Sequence, residues 1–196
     1  MNGFVVTLTT RLWQLAAINL AALGLTVLGL GLLGLAPALV AALWATARLD
    51  RLTAGELVRG MWQQYRSEFA TANLSALPVL AVVAGTLALA LVLPVIASAF
   101  LLPAALLMSG FALATLVVVA KLRGGAGDAL ANARAGFGLA PLRHVALAPL
   151  LPLALWAGSQ QPLILVYFGL SIPCLLINQT LAPALAAAMP AQREFA

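Results

Sequence analysis

The charged side chains of this chain fall into four short intervals, which leaves long stretches without any formal charge. The uncharged runs cover residues 12–47, 69–120 and 144–192 and are 36, 52 and 49 residues long. A helix that crosses a bilayer needs about 20 apolar residues at a rise of about 1.5 Å per residue. Each run is therefore suited to two crossings, and the sequence predicts an all-α, polytopic membrane protein whose six transmembrane helices form three hairpins.

The composition also indicates lipid as the main solvent of this chain. The hydrophobic fraction of 64%, the charged fraction of 8% and the mean hydropathy of +1.09 differ from those of soluble domains, in which about a quarter of residues are charged. Once six spans are subtracted, residues 1–196 are predicted to form one membrane-embedded helical domain. The ten basic residues are spread over four intervals and form no continuous groove for nucleic acid. The predicted partner is the lipid bilayer, and no nucleic acid is expected.

The placement of the basic residues predicts the orientation in the membrane. The intervals 48–68 and 121–143 carry four Lys or Arg residues each. If every uncharged run crosses twice, both intervals share one side with Arg11 and Arg193, and the opposite turns carry no charge. The positive-inside rule assigns this side to the cytoplasm. The N and C termini are therefore both expected in the cytoplasm.

The outer turns are expected where helix-breaking residues interrupt each run. These places are Gly34-Leu35-Ala36-Pro37, the stretch from Pro94 to Pro103, and Gly158-Ser159-Gln160-Gln161-Pro162. The approximate spans are then 12–33, 36–50, 72–93, 100–121, 142–157 and 162–188. The second and fifth spans are short, and the alternative to a full crossing by residues 36–50 is a thin or re-entrant segment.

The interval after the first run predicts an amphipathic cytoplasmic helix over about 53–69. Thr53-Ala54-Gly55-Glu56 has the pattern of a capping box, in which the side chains of Thr53 and Glu56 bond each other's backbone N–H groups. Apolar residues then recur every four positions on one stripe. The helix either covers the inner ends of the spans or docks a cytoplasmic partner. The candidate docking residues are Leu57, Met61, Tyr65, Arg66 and Phe69.

A weaker version of the same helix start occurs 72 residues later, where Ala126-Gly127-Asp128 corresponds to Ala54-Gly55-Glu56. This repeat reflects either duplication of a hairpin or chance in an alanine-rich chain. The correspondence predicts a second surface helix over about 128–136. Asp128 would open this helix, and Gly136, Gly138 and Pro141 would end it.

A few amide and hydroxyl side chains are expected at membrane depth, where a polar group needs a partner. They either form hydrogen bonds between helices or line a polar path for a solute. Adjacent polar residues in the sixth span favour the path more than isolated ones do, because they point in different directions. The candidates are Asn19, Asn73, Asn178, Gln179 and Thr180.

The sequence carries no constellation that predicts a reaction. Cys174 is the only cysteine and His144 the only histidine, so neither an intrachain disulfide nor a structural zinc site is expected. Paired acids, a nucleophile with its base and a phosphate-binding loop are missing from the pattern. A non-enzymatic protein without cofactor is therefore predicted. The lack of charged residues inside the spans argues against a proton pump or an ion-coupled carrier.

The first third of the chain, within residues 11–75, contains a set of short motifs: Asn19-Leu20, Gly34-Leu35-Ala36-Pro37-Ala38, Ala41-Ala42-Leu43, Tyr65-Arg66-Ser67-Glu68-Phe69 and Ala72-Asn73. Together these motifs resemble the YesL family, which is defined by domain of unknown function 624. The resemblance implies a small multi-pass protein of the bacterial cytoplasmic (inner) membrane, often associated with carbohydrate importers of the ATP-binding-cassette type. It implies an accessory or permease-like role with transporter subunits as partners, and it carries over no catalytic residue.

Two other functions remain open on the sequence. One is an autonomous oligomeric channel or solute facilitator, which would form homo-oligomers and use the candidate amides as its path. The other is a purely structural membrane protein. Neither the substrate nor the direction of transport follows from the residues.

Overall fold

The computed structural model describes residues 2–93, 95–122 and 124–188. Over these residues the chain is helical and contains no strand, which confirms the all-α prediction. The helices are α1 (Asn2–Leu28), α2 (Leu32–Thr46), α3 (Ala54–Val92), α4 (Val95–Lys121), α5 (Ala126–Leu139), α6 (Pro141–Leu147), α7 (Leu150–Gln160), α8 (Pro162–Phe168) and α9 (Ser171–Ala188). Arg123 and Arg193, which entered the orientation argument, lie outside the described residues.

Three helical stretches are long and apolar enough to cross a membrane. They are Val5–Leu28, Ala54–Ala90 and Phe100–Lys121. A fourth span results if Ala126–Leu139 and Pro141–Ala154, which are bent by 101° at the break between them, count as one. The residues that the structure describes therefore contain three to four candidate spans by length and composition, as expected for a membrane protein.

The helices are divided between two compact units. Unit 1 comprises residues 1–69 and 150–179, and unit 2 comprises residues 70–149 and the chain from 180 onward. In unit 1, α1 packs on α2 and α8, and α7 packs on α8. In unit 2, α4 packs on α5 and α6.

The first turn lies earlier than predicted. Gly34 to Pro37 lie inside α2, and the chain reverses at residues 29–31 instead. Leu30 and Gly31 both have positive φ, at 60° and 74°, and the Gly31 N–H bonds the Thr26 carbonyl at 2.8 Å. A Cβ on Gly29 would overlap the backbone of Gly34, so the absence of both side chains lets the two helix ends approach closely. The close approach fixes the turn there, and Pro37 does not end α2.

The helix predicted over 53–69 begins as expected but does not end before the third span. The Thr53 N–H donates to the Glu56 carboxylate at 2.8 Å, and the Glu56 N–H donates to Thr53 Oγ1 at 3.4 Å, which confirms the capping box. α3 then continues for 39 residues to Val92. Residues 61–77 contain neither Gly nor Pro, so nothing in the backbone interrupts the helix. The predicted surface helix and third span are one element.

The start of α3 lies along the α1–α2 hairpin. Gly60 faces the Trp44 ring near the end of α2, and the Tyr65 hydroxyl reaches Gly29 in the α1–α2 turn. α2 is the centre of unit 1, and residues 36–43 are all buried. Residues 54–69 therefore run beside the hairpin up to its turn, instead of across its inner end as predicted.

The later predictions hold in part. Asp128 accepts a hydrogen bond from the Gly125 N–H at 3.2 Å and opens α5, as predicted. α5 continues through Gly136 and Gly138 to Leu139, three residues beyond the predicted end. The turn expected at 158–162 falls at Gln161, between α7 and α8. Of the stretch 94–103, Pro94 lies outside the described residues and Pro103 is inside α4.

Both of the last two predicted spans are broken into shorter helices. Residues 142–157 contain the end of α6 and the start of α7, with Ala148 and Pro149 between them. Residues 162–188 contain α8 and α9, which are separated by Gly169 and Leu170. Proline explains the first break, since it cannot donate a backbone hydrogen bond. The second break is stabilised by a side chain from α1.

Candidate functional site

Asn19 of α1 bonds the backbone at the break between α8 and α9. Its Nδ2 donates to the Val166 carbonyl at 2.7 Å, and its Oδ1 accepts from the N–H groups of Leu170 and Ser171 at 2.6 and 3.2 Å. Asn19 is fully buried. A helix break leaves backbone groups without their normal partners, and in hydrocarbon each unpaired group costs several kcal/mol. Asn19 therefore stabilises a broken helix, which is the hydrogen-bonding alternative predicted for it.

Asn178 makes the corresponding connection between α9 and the end of α2. Its Nδ2 donates to the Leu43 carbonyl at 2.6 Å and to Thr46 Oγ1 at 2.7 Å. Thr46 Oγ1 in turn donates to the Ala42 carbonyl at 2.9 Å. α2 ends at Thr46, so the Leu43 carbonyl belongs to its last turn, where the Ala47 N–H and Thr46 Oγ1 reach it only at 3.3 and 3.2 Å. Asn178 adds a shorter hydrogen bond to this carbonyl.

The other three candidate polar residues have different surroundings. Gln179 and Thr180 are exposed, on a different side of α9 from the buried Asn178. Asn73 lies on the part of α3 that belongs to unit 2, and both polar atoms of its side chain are buried without a hydrogen bond to any described residue. A polar path through all five residues remains a prediction.

The predicted docking stripe faces the interior of unit 1. Leu57 and Met61 are completely buried and Tyr65 is 6% exposed. Tyr65 also packs edge-on against Phe69, with ring centroids 5.4 Å apart. Of the five candidate docking residues, only Arg66 is exposed, and Phe69 is half-buried. The stripe thus holds α3 against its own bundle, and docking through it is not available while unit 1 is packed in this way.

The exposed side of the same helix has a composition suited to a partner. It carries Val58, Arg59, Trp62 and Arg66, which are called here the outer face of α3. Trp62 is 44% exposed, and the Arg66 guanidinium lies 5.7 Å from the centre of a Trp62 ring. Trp and Arg are the residues most enriched at the energetic centres of protein interfaces. The sequence could have indicated this surface, because positions 58, 62 and 66 lie on one side of a helix. The longer apolar stripe on the other side was interpreted as the docking surface instead.

A polar groove of about 540 Å³ lies where α1 meets the α2–α3 connection. Arg11 and Asp50 form an ion pair in its wall. Gln14 Nε2 donates to the Leu52 carbonyl at 2.8 Å, which ties the connection to α1. Arg51 and Thr53 also line the groove. Within the described ranges, no group of three or more His, Cys, Asp or Glu side chains could hold a metal ion.

Residues 15–90 match the model of a family described as a protein of unknown function, DUF624. The match confirms the resemblance to the YesL family over this segment. It covers most of α1, all of α2 and α3 as far as Ala90, and so includes Asn19, the α1–α2 turn and the outer face of α3. No curated protein and no solved structure matches the chain.

Proposed function

We propose that this protein, whose residues 15–90 match DUF624, is a non-enzymatic subunit of the bacterial inner membrane that serves a carbohydrate importer of the ATP-binding-cassette type. Its role is accessory or permease-like, and it docks through the outer face of α3. The observation that carries the proposal is the exposed Trp62–Arg66 pair on the first turns of α3, where Leu57 and Met61 on the opposite side are completely buried. A membrane subunit without a nucleotide-binding loop needs a partner to supply the energy of transport.

The outer face is held in place before a partner binds. The capping box fixes the start of α3, and the burial of Leu57 and Met61 fixes its rotation about its own axis. Trp62 is therefore presented by a rigid element, which lowers the entropic cost of association. The two arginines make the surface basic, so an acidic partner surface with an apolar pocket for the Trp62 ring has the matching chemistry.

The proposed arrangement in the membrane keeps both termini in the cytoplasm and six segments in three hairpins, with a shallow first hairpin. Residues 54–69 run beside the α1–α2 hairpin up to its turn, and they expose Arg59 and Arg66. An arginine at the centre of a bilayer costs about 2.5–3.5 kcal/mol on insertion scales. This packing favours an arrangement that goes beyond the re-entrant alternative for residues 36–50, in which the whole α1–α2 hairpin enters from the cytoplasmic side and returns.

Co-purification from native membranes in mild detergent tests the docking role. The wild-type protein should carry an ATPase subunit, and Trp62→Ala or Arg66→Glu should reduce its recovery about tenfold, because removal of an interface anchor costs about 1–2 kcal/mol or more. Trp13→Ala is the matched control, since Trp13 is 64% exposed but lies on α1. Recovery of no ATPase with the wild type, or equal recovery with Trp62→Ala, would contradict the proposal.

A second function, an autonomous facilitator, is favoured by one observation in unit 2. The buried Asn73 amide has no partner among the described residues, and an unpaired amide in a span is costly unless it serves a solute or water. Liposomes that contain only this protein should then pass a small polar solute, and Asn73→Leu should abolish the flux. Flux that is absent from wild-type liposomes, or unchanged by Asn73→Leu, would rule this function out.

A further inference from the structure

Unit 2 contains an apolar groove that neither the docking surface nor the amide network uses. The groove has a volume of about 570 Å³ and lies between α3, α4 and α5. Its lining consists of Pro78, Val79, Val82, Leu107, Met108, Phe111, Arg134 and Phe137. The polar atoms of Arg134 contribute nothing to the lining, so the aliphatic stem forms part of the wall and the guanidinium lies outside it. This feature is called here the acyl groove.

The α3 and α4 walls of the acyl groove have the pattern of a helical hairpin. Pro78 and Phe111 are at similar distances along the chain from the α3–α4 connection, and so are Val82 and Leu107. The groove residues of α3 and α4 therefore lie in pairs at increasing distance from the α3–α4 connection. Phe111 and Phe137 lie at the end of the groove that is far from this connection. The groove runs along the helices, which is the direction that a lipid chain takes in a bilayer.

The far end of the groove is firmly packed. The Phe111 and Phe137 rings meet edge to face, with centroids 6.0 Å apart. A Cβ on Gly110 would lie 3.1 Å from the Phe137 ring and 3.2 Å from Val145, so α4, α5 and α6 are in close contact here. The side of the groove is open, since Val82, Leu107 and Met108 are 54%, 47% and 40% exposed. A ligand can thus enter laterally and stop against a fixed end.

Arg134 places a positive charge beside this packed end. It is exposed, and no carboxylate in the described part of the chain forms an ion pair with it. Asp128, the acid on the same helix, accepts from the Gly125 N–H instead. A long basic side chain commonly lays its stem on apolar surface and extends its charged group to the lipid headgroups. Phosphate is the preferred partner of guanidinium, because it accepts paired hydrogen bonds.

We propose that the acyl groove binds one chain of an anionic phospholipid, with Arg134 contacting the phosphate. The chain would pass Phe137 and Phe111 and continue between α3 and α4 towards Val82 and Leu107. An apolar helix of another protein would fill the groove but leave Arg134 without a counter-charge, and free phosphate would pair with Arg134 but leave the groove empty. A phospholipid fills the groove with its acyl chain and pairs its phosphate with Arg134. The site is independent of the proposed docking function.

Native mass spectrometry of the full-length protein, titrated with phosphatidylglycerol, tests the site. One lipid should bind more tightly than the rest. Arg134→Gln should weaken that binding about tenfold, because the amide lacks the charge that strengthens a hydrogen bond to phosphate. Val82→Trp should fill the groove and weaken binding by a similar factor. The matched controls are Arg143→Gln, an exposed cation of unit 2 that does not line the groove, and Leu89→Trp, which is 54% exposed on α3.

The outcomes separate the possible ligands. Equal binding by wild type, Arg134→Gln and Val82→Trp would overturn the proposal, and so would an equal loss with Arg143→Gln, which indicates unspecific attraction of anionic lipid. Displacement of the tight lipid by inorganic phosphate would show an anion site and would also overturn the acyl groove. Arg134→Gln changes an exposed side chain, so the variant should retain the wild-type unfolding temperature, which a thermal scan verifies.

Discussion

The side-chain amide of Asn178 donates a hydrogen bond to the backbone carbonyl of Leu43, 135 residues earlier in the chain, at 2.6 Å. Asn178→Leu removes this bond and the one to Thr46, and it leaves the Leu43 carbonyl with only the longer bonds from the Ala47 N–H and Thr46 Oγ1, at 3.3 and 3.2 Å. The expected loss of stability is about 1–3 kcal/mol, measured by thermal unfolding in detergent. Gln179→Leu, an exposed neighbour on α9, should change stability by less than about 0.5 kcal/mol. Equal effects of the two changes would contradict the assigned role.

Replacement of Asn19 should reduce the stability of the protein more than replacement of Asn73, although both are asparagines of apolar helices. Asn19→Leu leaves three backbone groups at the α8–α9 break unpaired and should destabilise the protein by about 2–3 kcal/mol or more. Asn73 has no hydrogen bond to lose among the described residues, so Asn73→Leu should be neutral or stabilising. Urea or thermal unfolding of the two variants in the same detergent would compare them. A larger loss with Asn73→Leu would be incompatible with this geometry.

Gly60 should tolerate no side chain. A Cβ there would overlap the Trp44 ring, and overpacking of this kind costs about 1–3 kcal/mol. Gly60→Ala should therefore lower the unfolding temperature, and the double variant with Trp44→Leu should recover part of the loss. Gly24→Ala is the control, because open space surrounds Gly24 and alanine is favoured over glycine inside a helix by about 1 kcal/mol. A loss in Gly24→Ala would show that the helices are packed differently.

The depth of the α1–α2 turn can be measured with a single introduced cysteine. Cys174 is 1% exposed, so it should give little background with a membrane-impermeant thiol reagent. Leu30→Cys should resist labelling from outside intact cells if the hairpin is shallow, and Arg51→Cys should react only in inverted vesicles. Strong labelling of Leu30→Cys from outside would indicate a complete crossing by α1 and α2 and would overturn the re-entrant arrangement.

Local signals in the sequence were sufficient where the interaction is local. Thr53 and Glu56 indicated the start of α3, and Asp128 indicated the start of α5. Each start depends on a hydrogen bond between residues only three positions apart. The hydrophobic runs also indicated the helical class, because the length of a run is sufficient to predict membrane-spanning helices. The family resemblance was likewise carried by short motifs within the matched segment.

Features that depend on distant contacts could not be predicted in this way. Gly34 to Pro37 is the stronger turn signal, but the contact of Gly29 with Gly34 placed the turn at residues 29–31. Periodicity grouped Leu57 with Met61 on one side of α3, yet it does not tell whether that side faces lipid, a partner or the protein itself. The acyl groove is made from three helices, and no single stretch of sequence contains it.

The link from Asn19 to residues 166–171 also has a consequence for biosynthesis. Leu170, a hydrogen-bond partner of Asn19, lies 151 residues later in the chain. At about 5–20 residues per second, a ribosome needs roughly 8–30 s to make the intervening chain. Throughout that interval the nascent first helix holds an amide without its final partners. α1 can therefore complete its hydrogen bonding only after α8 and the start of α9 have been synthesised.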